Sequence, residues 1–473
     1  MHFRYLKITM QAWLFSLVCL HSSFVFAHDF EATLALARGG DVGAQVELAG
    51  MYVHGREVQK DYVKALKWFR LAEEQGNAEA QFGLGVMYEY GYGVSQDFVR
   101  AIEWYRLAAI SGNSYAQYNL GLLYYQGQGA LKDLKAAREW WLKAAEQGNS
   151  RAQYDLGLLF DYGRGVREDK VEAAKWYRRA ADNGHPDAQA RLGWMYVDGR
   201  AMQKDYAKAL KWLHLAADQG NADAQLRLGI MYYKGKGVPQ SSVEAAKWHR
   251  RAADNGHPEA QFLLGSMYHR GKGVQQSFTE ALKWLRLAVA QGNANAQFVL
   301  GLNYLSGDGV PTDYSEAMNL FRLSADQGYV DAQYYLGLLY DAGDGVPKDH
   351  FKAVGWYLLA ANQGHDQALF NLGSLFSKGD GVPQSEAVAK ILLSLAAKWG
   401  NEKAQNNLGT MYARGEGGRQ DFKRAYVWLS IAASGGDDVA VQNMNKIEQH
   451  LSLQERNEAK QEASEFLAKM KNQ

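Results

Sequence analysis

The sequence predicts an all-α solenoid, and three observations predict it. Alanine opens the same pattern at Ala44, Ala80, Ala116, Ala152, Ala188, Ala224, Ala260, Ala296, Ala332, Ala368 and Ala404, 36 residues apart without a gap. Leucine follows four residues later in all eleven units (Leu48 through Leu408), and an aromatic ring stands eight residues after the alanine (Tyr52, Tyr88, Tyr124, Phe160 and on to Tyr412). Each unit then repeats a second helical stretch behind a glycine-bearing loop. A fixed period of this length marks a stack in which each unit buries its apolar face only against its neighbours. The expected organisation is a signal peptide over 1–27, a capping helix within 28–43, eleven repeats over 44–439 and capping helices over 440–473.

Residues 80–115 show how one unit is built. Ala80, Leu84 and Tyr88 recur at i, i+4 and i+8 and mark one face of a first helix. Gly85 lies between them and has a glycine counterpart in ten units, with Ala49 in the first. Glycine inside a helix costs about 1 kcal/mol, so its recurrence implies that two helices approach closely there. Gly91-Tyr92-Gly93-Val94 breaks the helix, glycine accepting the positive φ a sharp turn needs. Asp97, with Asp or Ser at the same place in every unit, caps the second helix. That helix carries Ala101, Trp104 and Ala108; the tryptophan recurs in nine units, with Leu320 and Leu392 as exceptions, and is expected in the core. Gly112 ends the unit. Twice the restart reads His-Pro, at His185-Pro186 and His257-Pro258, where the first helical turn tolerates proline. The glutamine after each anchor alanine (Gln45, Gln81, Gln117 and so on, ten of eleven) is expected to bond loop backbone between units.

Both ends are expected to be capped. Phe30 to Arg38 reads as a lone helix before the first full unit. Val439, Met444 and Ile447 begin a helix over the last repeat, and Ser452-Leu453-Gln454-Glu455 is a capping box opening a final helix with Ala459, Ala463, Phe466 and Leu467 on one side.

The first residues read as an export signal. Arg4 and Lys7 precede an apolar run from Ala12 to Leu20, and Val25-Phe26-Ala27 supplies small residues for cleavage before His28. The run is shorter than the roughly 20 residues that span a bilayer. Cys19, the single cysteine, lies inside this segment, so the mature chain is expected to hold no disulfide or thiolate metal site. Losing Arg4 and Lys7 takes the formal charge from +1 to −1. Acidic and basic residues balance with no basic stripe, which argues against nucleic acid as partner, and no later segment reads as a membrane span. The expected location is a bacterial periplasm or the extracellular space.

Leu-Gly-x-x-Tyr, a Gly-x-Gly-Val loop, Lys-Ala-x-x-Trp-Tyr and Ala-Ala-x-x-Gly-Asn together resemble the Sel1-like repeat. Ala152 to Asn183 is close to its consensus: Leu156-Gly157, Gly163-Arg164-Gly165-Val166, Asp169, Trp176-Tyr177 and Ala180-Ala181. The resemblance covers residues 44–439. It implies a tetratricopeptide-like, right-handed superhelix of paired antiparallel helices, and membership of a family made mostly of adaptors in protein complexes. The layout is also similar to that of exported Sel1-like proteins that bind secretory immunoglobulin A. Cysteine-rich members linked to β-lactam binding have paired cysteines that this chain lacks, so that activity is not carried over.

Motifs for chemistry are scarce. The Gly-x-Gly loops lack a third glycine or a Gly-Lys-Ser/Thr ending, and read as turns. Asp308, Asp341 and Asp344 show no EF-hand spacing. Histidines such as His185, His249 and His257 stand singly, without a His-Glu-x-x-His pair, and no nucleophile elbow is present. No cofactor or metal is expected.

Helical geometry points to a binding face instead. Successive residues turn by about 100°, so the anchor Leu and Tyr lie about 40° and about 80° round from the anchor Ala. Offsets +2, +6 and +9 fall at about 200°, about 240° and about 180°, a separate stripe. In tetratricopeptide-like superhelices such a stripe lines the concave groove. At +2 stand Phe82, Tyr118, Tyr154, Phe262, Phe298, Tyr334 and Phe370, although Ala190 and Asn406 show that packing does not demand a ring there. At +9 and +10 come varied residues, among them Glu89, Tyr90, Tyr125, Asp161, Tyr162, Asp198, Lys234, His269 and Arg270. Aromatics beside changing polar neighbours describe a protein-recognition surface. The expected partner-binding set is Phe82, Tyr118, Tyr154, Phe262, Phe298, Tyr334, Phe370, Tyr90, Tyr125, Tyr162 and Arg270. The expected function is a non-catalytic, exported scaffold that holds a protein or peptide, with a host-interaction factor as one form. The alternatives are a partner of a periplasmic sensor or enzyme, and a cell-wall hydrolase assembled across units.

Overall fold

The structure, a computed structural model, describes residues 29–471. The expected signal segment and the expected cleavage site at Ala27–His28 lie outside the described residues. Among the described residues all regular structure is helical, in twenty-five helices, and no strand occurs. They form two compact units, one ending at Gln240 and the other starting at Ser241. The first holds the helix Phe30–Arg38, five complete repeats and the first helix of the sixth, Ala222–Lys234. The second begins with the helix Ser242–Asp254 and runs through five further repeats to Asp438–Glu448 and Leu453–Lys471.

Within a repeat the two helices are antiparallel neighbours, as in Ala78–Tyr90 and Phe98–Ile110. Asn77 caps the first through Ala80 N (2.9 Å), and Asp97 caps the second through Val99 N and Arg100 N (3.0 and 3.1 Å). Gly91 stops the first helix at φ +71°. Two residues later in the loop, Gly93 and its counterparts also take positive φ; in repeats one and five that place is held by Glu57 (φ 57°) and Ala201 (φ 65°), side chains forced into the left-handed region.

The helical glycine has a specific reason. A Cβ on Gly85 would lie 2.5 Å from the Tyr105 ring, on Gly157 2.5 Å from Tyr177, and on Gly337 2.5 Å from Tyr357. The residue that wedges under this glycine is the one after the tryptophan, and it is the true core position. Tyr105 is 0 % exposed, whereas its neighbour Trp104 is only half-buried. This corrects the expectation that the tryptophans form the core. Trp176, Trp212 and Trp284 are buried, but Trp68, Trp104, Trp140, Trp356 and Trp428 sit at the edge, and cations cover several of these rings, as Lys143 covers Trp140 (4.2 Å) and Arg179 covers Trp176 (5.0 Å).

Stacking of one repeat on the next uses two recurrent links. Gln117 Nε2 donates to Ala109 O of the preceding repeat (3.0 Å), and Gln147 Nε2 donates to Gln117 Oε1 (2.8 Å). The same pair recurs as Gln153 with Asn183 and as Gln261 with Gln291, as the glutamine periodicity predicts. Repeat ten replaces both members, Leu369 being buried and the Trp399 ring lying over Gly364. The second link runs from an arginine to the tyrosine of the following repeat, as in Arg70 to Tyr88 (3.4 Å), Arg106 to Tyr124 (2.5 Å) and Arg178 to Tyr196.

Ser452 and Glu455 bond reciprocally, Ser452 N donating to Glu455 Oε2 (2.8 Å) and Glu455 N to Ser452 Oγ (3.3 Å), and the final helix buries Ala459 and Ala463. Among the described residues no helix is long and apolar enough to cross a membrane.

Candidate protein-binding face

The +2 rings do not form an open stripe. Phe82 is 2 % exposed and packs on Tyr105 (5.7 Å) and Tyr115 (6.2 Å); Tyr118 is 5 % exposed and stacks on Trp141 (6.4 Å); Phe298 is 8 % exposed among Phe321, Tyr329 and Tyr335. Tyr154 and Tyr334 are half-buried, each stacked on the histidine that caps the next repeat, His185 (4.7 Å) and His365 (4.4 Å). Phe262 and Phe370 are half-buried against apolar clusters of their own unit. The expectation that solvent already reaches the +2 stripe is therefore corrected for Phe82, Tyr118 and Phe298. At about 200° from the anchor alanine, +2 lies on the margin of the buried arc and meets the next repeat.

Exposure along the first helices instead centres on offsets −1, +3, +6 and +10, which span about 240° to about 300°. In the first unit this strip holds Arg151, Asp155, Leu158 and Tyr162 in repeat four, then Asp187, Arg191, Trp194 and Asp198 in repeat five, with Arg227 and Ile230 following. Arg227 lies 4.1 Å from the Trp194 ring centre and pairs with Asp223 (2.8 Å). Tyr162, 47 % exposed, is surrounded by Arg164, Lys170 and Arg191 at 5.1, 5.8 and 5.8 Å. Tyr125 accepts a hydrogen bond from Arg164 Nη1 (2.8 Å). Tyr90 is half-buried and stacks on Tyr92 (5.7 Å); burial and then Glu89 push its phenol above its ordinary pKa. In the second unit Arg270 is exposed, and Leu302 and Leu338 hold the +6 places.

Behind the strip run polar links that periodicity did not reveal. Tyr105 donates to Glu89 Oε2 (2.6 Å) and accepts from Asn119 Nδ2 (3.2 Å). Tyr357 donates to Asp341 Oδ2 (3.3 Å) and accepts from Asn371 Nδ2 (3.1 Å). Tyr177 donates to Asp161 Oδ2 (3.0 Å), with Arg191 at the place of the asparagine. A signal for this was in the sequence. The three units with an acidic residue at +9 are the three with tyrosine at +25. Burial raises the pKa of Glu89, against the bonds it accepts.

Asp155 accepts from Tyr118 Oη across the repeat junction (3.0 Å). Burial pushes its carboxyl up to about 7, opposed by the Tyr118 bond and the Arg151 charge and reinforced by Asp187. His185 caps its helix by accepting from Ala188 N at Nδ1 (3.4 Å), and burial holds its pKa down. The strip thus presents apolar side chains, guanidinium groups and carboxylates in alternation on a rigid helical scaffold, which suits recognition of a polypeptide.

Comparison with known proteins fits this geometry. The Sel1 repeat model matches eleven consecutive spans, 42–77, 78–113, 114–149, 150–185, 186–221, 222–257, 258–293, 294–329, 330–365, 366–401 and 402–437. The chain is similar to the crystal structure of c5321, a protective antigen present in uropathogenic Escherichia coli strains displaying an SLR fold. The two are 34 % identical over 94 % of this chain and 95 % of that one, with a TM-score of 0.81. It is also similar to a Sel1 repeat protein from Oxalobacter formigenes, 32 % identical over 52 % of this chain and 96 % of that one, TM-score 0.47. A search of curated proteins found no match.

Proposed function

The chain belongs to the Sel1 repeat family, and from that premise we propose that it is an exported, non-catalytic scaffold holding a protein partner on the first-helix face of its repeats. The observation that carries this reading is the strip at −1, +3, +6 and +10. There Trp194, Arg191 and Arg227 stand half-exposed on rigid helices, in the residue types that dominate interface energetics. Repeat solenoids of this kind serve typically as protein-interaction scaffolds.

Export rests on Arg4, Lys7 and the apolar run ending before Val25-Phe26-Ala27. The description of c5321 as a protective antigen supports a place outside the cytoplasm. Secretory immunoglobulin A is the first partner to try.

The test is a pull-down with the mature protein from host secretions and, separately, from envelope extract, followed by titration of the partner found. Trp194→Ala and Arg191→Ala should each weaken binding by about 1–2 kcal/mol or more, with unfolding little changed. Equal affinity in both variants would move the site elsewhere. Turnover of peptidoglycan or a chromogenic β-lactam without a stable partner would overturn the scaffold reading. Mass spectrometry of envelope protein should find His28 at the N-terminus; an intact Met1 would refute cleavage.

A further inference from the structure

Position +22 of the repeat, on the second helix under the following loop, is apolar in nine units: Leu66, Ile102, Ala174, Leu210, Ala246, Leu282, Met318, Val354 and Tyr426. The two exceptions are Arg138 and Lys390. Position +15, in the loop of the next repeat, carries arginine in two units only, as Arg167 and Arg419. These are the loops that follow Arg138 and Lys390. Cations thus enter the chain in two pairs, the members of each pair 29 residues apart in sequence and lining one cavity.

Each pair lines a surface cavity. In the first unit the cavity is about 620 Å³, walled by Arg138, Phe160, Arg167 and Lys170 with Glu168 and Asp169. Arg138 Nε is buried there without a hydrogen-bond partner, an unusual state for a buried donor. Lys170 is held by Asp161 and Glu168 (3.1 and 3.3 Å). In the second unit the cavity is about 590 Å³ and has four cations, Lys390, Arg419, Lys423 and Arg424, against the carboxylates of Asp421 and Glu455. Both carboxylates are engaged. Asp421 caps its helix through Arg424 N (2.9 Å), and Glu455 accepts from Ser452 N and Oγ (2.8 and 2.7 Å). Lys423 is paired with Glu458. Lys390 Nζ stands 4.0 Å above the Tyr412 ring and donates to Glu416 O (3.3 Å), while Arg419 is exposed and in no ion pair among the described residues. Gly418, whose position holds valine in eight other units, lies beside Lys390; a Cβ there would lie in ordinary contact with Nζ, at 3.6 Å.

A self-contained repeat stack gains nothing from placing two like charges where a leucine and a glutamine or proline serve elsewhere, since like charges held together disfavour one another. A ligand that neutralises both gives the pairing a purpose. We propose that the two cavities are sites for a small phosphate dianion, free phosphate or a phosphomonoester. Each cavity gathers guanidinium groups and at least one ammonium, the groups that bind a tetrahedral dianion.

The substitutions that test this are already present in the chain's other repeats, so the stack should accept them: Lys390→Leu with Arg419→Gln, and Arg138→Leu with Arg167→Gln. Calorimetric titration of the full mature protein with inorganic phosphate, at fixed ionic strength, should show two sites. Each double variant should lose one, its affinity falling by about tenfold or more as two charge-assisted bonds disappear. Acetate should bind far more weakly than phosphate. Titration with glycerol 3-phosphate separates the sources: tighter binding than inorganic phosphate assigns the sites to esters, weaker binding to the free ion. Absence of phosphate binding, or a titration unchanged by both double variants, would overturn the proposal. Circular dichroism melts of the variants check that folding is retained.

Discussion

Tyr105 Oη lies 2.6 Å from Glu89 Oε2, a hydroxyl and a carboxylate facing each other behind the exposed strip of the first helices. The hydroxyl satisfies an acid that burial would otherwise penalise. Tyr105→Phe should therefore cost about 1–3 kcal/mol, the penalty of leaving a buried polar group unsatisfied. Adding Glu89→Val reproduces the Val53 and Phe69 pairing of repeat one and should recover the part of the loss that comes from the stranded carboxylate, leaving the part that comes from Asn119. Urea unfolding of the two singles and the double gives the coupling; additive costs would show that the contact is incidental.

Gly157 and Gly265 occupy the same place but face different neighbours. A Cβ on Gly157 would meet the rigid Tyr177 ring at 2.5 Å, whereas on Gly265 it would meet Leu285 Cγ at 3.0 Å. Gly157→Ala should cost about 1–3 kcal/mol by overpacking, and Gly265→Ala clearly less because leucine can change rotamer. Thermal melts of the two variants check the order, and equal shifts would contradict it.

Ala201 holds a left-handed conformation that glycine supplies in nine other repeats. A side chain there costs roughly 1–2 kcal/mol, partly offset by the greater chain entropy that glycine loses on folding. Ala201→Gly should raise stability by up to about 1 kcal/mol. A lower melting temperature in the variant would refute the strain.

Asp155 gives a pH dependence with a definite sign. Its folded pKa of about 7 lies above the ordinary aspartate value of 3.8, so the folded state holds the proton more tightly than the unfolded chain. The resulting penalty grows as pH rises from about 4 to about 7 and is constant above that. Asp155→Asn keeps an acceptor for Tyr118 and removes the ionisation. The stability of the variant relative to the parent should thus increase across that window and then level off. His185 acts in the opposite sense. Its depressed pKa makes the neutral cap stabilising above about 6.5 and costs stability as pH falls through the folded value. A difference profile between Asp155→Asn and the parent that is flat from pH 4 to 8 would sink the assignment.

The fold was legible because stacking demands the same few residues in every unit. Ala44 through Ala404 set the period, and the glutamines announced the clamp. The proposed binding strip is harder to place. An ideal helical wheel puts +2 opposite the anchor residues, yet Phe82, Tyr118 and Phe298 are drawn under the next repeat. A single-helix projection holds no information about the neighbouring unit. The true core residue at +25 is hard to see for a related reason, since Tyr105, Trp141, Leu213 and Phe321 share burial but neither size nor chemistry. The constant tryptophan beside it is the stronger periodic signal, yet it is buried at Trp176, Trp212 and Trp284 and lies at the edge at Trp68, Trp104, Trp140, Trp356 and Trp428.

The carboxylate, tyrosine and asparagine of Glu89, Tyr105 and Asn119 belong to two successive units, whereas the glutamine clamp is the same at nearly every junction. This bears on how such a chain can change length through inheritance. Unequal recombination that removes 36 residues rejoins equivalent clamps almost anywhere. A crossover between Tyr105 and Asn119 separates partners and strands a buried acid's donor in a foreign context. Crossovers at those few seams carry a penalty that others escape, so gain and loss of units should fall between the linked pairs. The individuality of the array is then transmitted in blocks larger than one repeat.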